Sequence, residues 1–539
     1  MRIDEEYVSV PRLVRAGAER FPDLEAIVDG DRRITYPALA DLALRATRAA
    51  MAAGVGPGDR AAIWAPNGAD WIVAALGILG AGGVLVPCNT RFKGPEAAFV
   101  LGRSGARLLC TVTDFLGTDY PAMLRAALAA SGDALPDLGT IVALDRPGPD
   151  AGAAPADGVT DWAAFLAAGE AVPEAEALAR IAAVRGDDLA DIMFTSGTTG
   201  RPKGAMATHA QNLRVYEVWS EVVGLRAGDR YLVVNPFFHG FGYKAGWLSA
   251  FMRGATVVPM PVFDVPAVLE RVQTERITVL PGPPTLLSGI LEHPARDDYD
   301  LSSLRLTVTG AAAVPVELIR RLRSEMTFET IITGYGLTET TGTVSMCRYD
   351  DDPETIANFS GRAIPDTELR IVDPTGRELP PGEPGEVVTR GYHLMPGYYA
   401  DPEATAATID ADGWLHTGDI GIMDERGYLR ITDRLKDMYI VGGFNAYPAE
   451  IEGILCTHPG IAQAAVVGVP DDRLGEVGAA FVIARAGADV DPDEVIAWAR
   501  EQMANYKVPR YVEVRTDLPC NASGKVLKYE LRQTWSAPA

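Results

Sequence analysis

Apolar and polar positions along this chain fall into two rhythms, one of helical spacing and one of strand-like runs. Residues 13–21 carry a helical pattern. Ala26-Ile27-Val28 and Arg33-Ile34-Thr35-Tyr36 then read as strands on either side of an Asp-Gly turn, and helices and strands follow each other through Thr111. That succession predicts layered α/β structure. The longest apolar run, residues 71–88, nears the roughly 20 residues of a membrane span. Gly80-Ala81-Gly82-Gly83 interrupts it ahead of Val84-Leu85-Val86-Pro87, so it reads as helix, turn and buried strand. Residues 145–158 are rich in Pro, Ala, Gly and Asp without periodicity, which predicts an exposed loop between subdomains. The charged link Asp433-Arg434-Leu435-Lys436-Asp437 suits a domain boundary, and the pattern beyond it predicts a small α+β unit with strands over 464–469 and 479–483.

At 539 residues the chain exceeds one domain of roughly 100–200 residues, which calls for a large body plus at least one separate unit. Its 72 acidic residues outweigh 49 basic ones, for a net charge of -23. This balance argues against nucleic acid and anionic membranes as partners, and anionic substrates must meet local positive sites. The five cysteines, at 88, 110, 347, 456 and 520, are scattered and never spaced Cys-x-x-Cys. Together with a polar, acidic start, Met1-Arg2-Ile3-Asp4-Glu5-Glu6, they lead us to expect reduced thiols in a cytoplasmic protein.

Packing does not explain the composition of Phe194-Thr195-Ser196-Gly197-Thr198-Thr199-Gly200-Arg201-Pro202-Lys203-Gly204. It follows the apolar run 189–194, which reads as a buried strand, and Thr208-His209 and Asn212 begin a helical pattern after it. The expected context is therefore strand, loop, helix. Glycines at 197, 200 and 204 let the backbone approach a ligand. Thr195, Ser196, Thr198, Thr199 and Lys203 supply donors suited to phosphate oxygens. A Walker A loop is a weaker reading, since it needs Gly-Lys-Ser/Thr and Lys203 instead follows Pro202. The segment resembles the phosphate-binding loop of the adenylate-forming superfamily, which includes acyl-CoA synthetases, peptide-synthetase adenylation domains and luciferases. The resemblance implies a carboxylic acid and ATP as first substrates.

Other segments offer what such a site needs. Thr309-Gly310-Ala311-Ala312-Ala313 ends a strand with residues small enough for a flat ring to lie against the backbone. In Thr333-Gly334-Tyr335-Gly336-Leu337-Thr338-Glu339, Tyr335 can stack on adenine, Thr338 can reach a phosphate, and the Glu339 carboxylate is a hard oxygen ligand for Mg²⁺. By resemblance, Asp419 in Gly413-Trp414-Leu415-His416-Thr417-Gly418-Asp419 accepts ribose hydroxyls, Arg434 is a second ribose or phosphate contact, and Lys436 is the hinge. Gly442 and Gly443 would let the pantetheine arm of CoA pass close to backbone. The family lysine that swings over the substrate carboxylate and α-phosphate falls on Lys525, and Cys520 stands where a basic residue is common. The strand and aromatic, glycine-rich turn over 231–244 place His239 at the family's wall between acyl pocket and adenylate, and Val279-Leu280-Pro281-Gly282-Pro283-Pro284-Thr285 reads as a second strand lining that pocket. The acyl-pocket candidates are Phe238, His239, Gly242, Lys244, Pro283, Gly310 and Gly336. The catalytic candidates are Thr195, His239, Glu339 and Lys525.

The implied fold is a large α/β N-terminal domain of several subdomains over residues 1–433, a hinge at 434–438, and a small mobile α+β C-terminal domain over 439–539. The implied chemistry is ATP-dependent thioester formation with CoA through an acyl-adenylate, with Mg²⁺. An amino-acid adenylation domain would want an acidic anchor near residues 237–246, and there is none. Residues 235–246, 279–285 and 434–440 further resemble the subgroup of CoA ligases acting on the bicyclic propanoate left from steroid rings C and D. That implies a bulky fused-ring steroid or terpenoid acid, with a fatty or aryl acid, or an enzyme running a single half reaction, as alternatives. A homodimer is the default assembly.

Overall fold

The computed structural model describes residues 2–144, 158–195, 202–310, 314–434, 437–441, 444–471, 473–503, 505–520 and 526–536, without the side chains of 433, 434, 444 and 445. Two mainly parallel layers make up the first part. One is a seven-stranded sheet with strands in the order Thr160–Asp161, Thr140–Ala143, Ala106–Thr111, Arg60–Trp64, Val84–Pro87, Leu189–Thr195 and Lys203–Thr208; the last pair is antiparallel and the rest parallel. The other orders Arg230–Val233, Thr256–Pro259, Glu25–Asp29 and Arg32–Thr35. Parallel bridges Tyr231↔Val279 and Val279↔Leu306 connect it to a third sheet, beginning with Leu306–Gly310 and Thr330–Tyr335. One apolar cluster fills the space between these layers and their helices. Because their strands are buried on both faces, the runs are apolar throughout rather than alternating.

The run 71–88 forms helix Ala69–Gly80 and buried strand Val84–Pro87, with Gly82 turning the chain at φ +80°. No helix among the described residues is long and apolar enough to cross a membrane. The early pattern is realised as helix Val10–Arg20 and the hairpin Glu25–Asp29 with Arg32–Thr35. Two expectations need correcting. Residues 279–285 are not a strand: Val279 makes single bridges on either side, and a helix, Pro284–Leu291, starts within the segment because prolines 283 and 284 set its first turn. The polar segment after Phe194 leads to strand Lys203–Thr208, and helix His209–Val222 comes only after that strand, so it connects a hairpin rather than a strand to a helix. The loop expected over 145–158 lies, but for Gly158, outside the described residues.

An antiparallel meander follows, with strands Thr367–Val372, Gly385–Gly391, Leu415–Met423 and Leu429–Arg434 around its own small core. The last sheet, built on the long antiparallel pair Ile461–Asp471 and Gly475–Ala484, carries separate apolar clusters drawn wholly from residues beyond 438. It is wider than the runs 464–469 and 479–483 suggested, because backbone pairing continues past the apolar stretch on both strands.

Candidate active site

Parallel strands collect their carboxyl ends on one edge, and ligands of open α/β sheets bind there. Gly310, Gly334 and Tyr335 lie at such an edge. Gly310 and Gly334 are register partners at the ends of adjacent parallel strands, and the Gly282 N–H donates to Val308 O at 3.0 Å just before Gly310. Tyr335 closes the second strand and donates its hydroxyl to Asp419 Oδ2 at 2.6 Å. Asp419, 3% exposed, lies within strand Leu415–Met423, where its register partner is Arg434. The proposed adenine and ribose residues are thus neighbours although they come from different sheets.

A second line of contacts runs from the Gly/Thr-rich hairpin. Thr195 and Lys203 are paired across its strands. The Lys203 ammonium sits 5.1 Å from the ring centroid of Tyr398, and the Tyr398 hydroxyl donates to Glu339 Oε1 at 2.7 Å. Glu339 lies in a short 3-10 turn, Thr338–Thr340, four residues beyond Tyr335, and its carbonyl accepts from the Met395 N–H at 2.8 Å. Glu339 is half-buried and makes no ion pair among the described residues. A lone hard carboxylate beside a phosphate-type turn fits Mg²⁺, which uses one or two carboxylates plus substrate phosphates rather than an all-protein cage. No group of three or more metal-type ligands exists among the described residues.

On the acyl side, His239 caps the turn Gly240–Gly242, its Nδ1 accepting the Phe241 N–H at 3.2 Å, which leaves the ring proton on Nε2. The ring is solvent-accessible, and partial desolvation against the turn lowers its pKa. Tyr243–Leu248 continues the helix as a π-turn, a distortion frequent at functional sites. Phe238 and Pro283 are half-buried at the ends of their segments.

Three acyl-pocket expectations change in detail. A Cβ on Gly242 would lie 2.3 Å from the carbonyl oxygens of Asn235 and Pro236, so backbone rather than a ligand fills that space. At Gly336 a Cβ would lie 2.2 Å from Gly342 O, with the same meaning. Lys244, 2% exposed, points its ammonium at Asp191 Oδ1, 2.9 Å away, and Asn212 Nδ2 donates to Asp191 Oδ2 at 2.6 Å. That network ties the π-turn to the strand entering the Gly/Thr-rich segment.

Ser196, Gly197, Thr198, Thr199, Ala311, Ala312, Lys436, Gly442, Gly443 and Lys525 lie outside the described residues, as does the Arg434 side chain. Tyr398 escaped the sequence reading. Its neighbours Pro396 and Gly397 signal only a turn, and its partners Lys203 and Glu339 are distant in the chain.

The profile of the AMP-binding enzyme family matches residues 14–399, and that of the AMP-binding enzyme C-terminal domain matches residues 450–525. The chain is 50% identical to the 3-[(3aS,4S,7aS)-7a-methyl-1,5-dioxo-octahydro-1H-inden-4-yl]propanoyl:CoA ligase of Rhodococcus jostii, over 98% of this chain and 99% of that one. It is 49% identical to the protein of the same name from Mycobacterium tuberculosis, over 97% and 98%. Among solved structures, the anthranilate CoA ligase AuaEII in complex with anthranoyl-AMP superimposes with a TM-score of 0.86 at 27% identity, covering 99% of this chain and 98% of that one.

Proposed function

Because the chain belongs to the AMP-binding enzyme family, and is an AMP-forming acid–CoA ligase of that family, we propose that its acid is the bicyclic propanoate of steroid rings C and D or a close fused-ring analogue. The relatives about half identical over nearly the whole chain support this reading of the substrate.

A carboxylate is a poor electrophile, because its leaving group would be oxide. In the first half reaction one carboxylate oxygen attacks the α-phosphorus of ATP, the bond to the bridging oxygen breaks, and pyrophosphate leaves. In the second the CoA sulfur attacks the acyl carbonyl and AMP leaves. The observation that carries the assignment of roles is the juxtaposition of Lys203, Tyr398 and Glu339 on one side and Tyr335 with Asp419 on the other, since these suit the polyphosphate and the nucleoside of one ATP. Lys203 and the Thr195 hydroxyl face phosphate oxygens, Tyr335 lies against adenine, and Asp419 accepts from ribose hydroxyls. Bound by Glu339, Mg²⁺ would supply charge neutralisation on the phosphates. His239 walls the acyl pocket, and Lys525 neutralises charge at the reacting oxygens.

An ATP- and CoA-dependent thioester screen over steroid-derived, diterpenoid, fatty and aryl acids tests the proposal. The bicyclic propanoate is expected to give the highest kcat/KM, and a fatty or aryl acid turned over more efficiently overturns the substrate assignment. Pyrophosphate release without CoA shows whether the first half reaction runs alone.

A further inference from the structure

The side chain that joins the phosphate side of this site to its metal side belongs to none of the motifs above. Tyr398 lies in Met395-Pro396-Gly397-Tyr398-Tyr399, a segment laid along the strand that leaves the Gly/Thr-rich hairpin. The Met206 N–H donates to Gly397 O at 3.2 Å and the Tyr399 N–H to Gly204 O at 2.7 Å, while Tyr398 itself bridges Ala205. The Tyr398 N–H donates to the Thr405 side-chain Oγ1 at 2.9 Å, and Ala205, Met395 and Tyr398 form a small buried cluster of their own. The ring, 8% exposed, therefore has little freedom.

Its two useful atoms or faces both meet groups assigned to ATP. The hydroxyl has one proton to give and gives it to Glu339 Oε1 at 2.7 Å, which anchors one carboxylate oxygen, while Oε2 accepts no hydrogen bond among the described residues. The π face lies 5.1 Å from the Lys203 ammonium, close enough for cation–π attraction. Ligating carboxylates are characteristically held by such outer partners, whose loss costs metal affinity without removing a ligand.

We propose that Tyr398 is a positioning residue for the adenylation half reaction, holding the Glu339 carboxylate for a divalent cation and the Lys203 ammonium for the polyphosphate at the same time. This rests on the ligase reading above. Cation binding in the presence of ATP, with Mn²⁺ as the probe and the protein-bound Mn²⁺·ATP complex read by enhancement of water proton relaxation, reports on the site without turnover. Tyr398→Phe, which keeps the ring, is expected to weaken that binding about tenfold. It is also expected to raise the Mg²⁺ concentration needed for acid-dependent pyrophosphate release, with thioester formation from supplied acyl-adenylate little changed. Tyr398→His, which retains a ring N–H, recovers part of the loss. Against a Glu339→Gln background, either substitution changes cation binding little, because the group it acts through is gone. If Tyr398→Phe does not fold, Tyr398→His carries the comparison in both backgrounds. Undiminished Mn²⁺ binding in a folded variant, or an equal loss in the Glu339→Gln background, overturns the inference and leaves the ligase reading intact. Absence of acid-dependent pyrophosphate release from the unaltered chain would sink both.

Discussion

Lys244 and Asp191 place a cation and an anion in the protein interior, 2.9 Å apart, with Asn212 donating to the same carboxylate. Removing both charges from water costs several kcal/mol per ion, so such a pair is weak evidence of net stabilisation, but breaking it strands a buried charge. Lys244→Met is therefore expected to lower unfolding free energy by about 3–5 kcal/mol in a denaturant titration. Adding Asp191→Leu is expected to restore part of that loss, because neighbouring substitutions of this kind couple strongly. From sequence, Lys244 reads only as a lining residue of the acyl pocket. Only the fold reveals that a carboxylate from a strand 53 positions earlier has already taken it.

At the scale of elements, His209 starts helix His209–Val222 and fastens it to helix Val10–Arg20 by accepting the Val10 N–H on Nδ1 at 3.4 Å. Burial lowers its pKa from 6.5 to about 3. Above pH 6.5 both folded and unfolded chains hold this ring neutral and it has no effect on stability. Between 6.5 and about 3 the unfolded chain binds a proton that the folded chain does not, so stability falls with pH, by up to about 1.4 kcal/mol per unit for one group. His393, lowered to about 4 by the same cause, adds to the slope over the upper part of that window. Urea midpoints measured across pH 4–7 check this: His209→Gln is expected to flatten the slope while leaving the value at pH 7 little changed. Helices and strands here were legible wherever apolar residues ran unbroken, as at Ala69–Gly80 and Val84–Pro87. The hairpin Leu189–Thr195 with Lys203–Thr208 was not legible, because its second strand, Lys-Gly-Ala-Met-Ala-Thr, is short and made of weak strand formers; pairing to its neighbours holds it extended.

For the whole molecule, the C-terminal sheet has apolar clusters of its own, which is what a unit able to move as a body requires. We propose that this unit pivots at Lys436 and serves the two half reactions differently, with Lys525 for adenylation and Gly442-Gly443 for the pantetheine arm. Lys525→Ala is expected to reduce acyl-adenylate formation by at least about a hundredfold while thioester formation from supplied acyl-adenylate stays near its original rate. Stopped-flow measurement of each half reaction checks it, and equal loss in both would argue against the division of labour.

Sequence alone determined the α/β class and the reaction class and nominated candidates for the site, because backbone approach, phosphate binding and metal ligation each demand residue types that stand out from packing residues over a few consecutive positions. Tertiary structure alone decided that Tyr335 meets Asp419, that Tyr398 bridges Glu339 and Lys203, and that Lys244 belongs to Asp191. The physical reason is that these pairings join residues far apart in the chain through strand register and side-chain reach, and a single string of residues encodes neither locally.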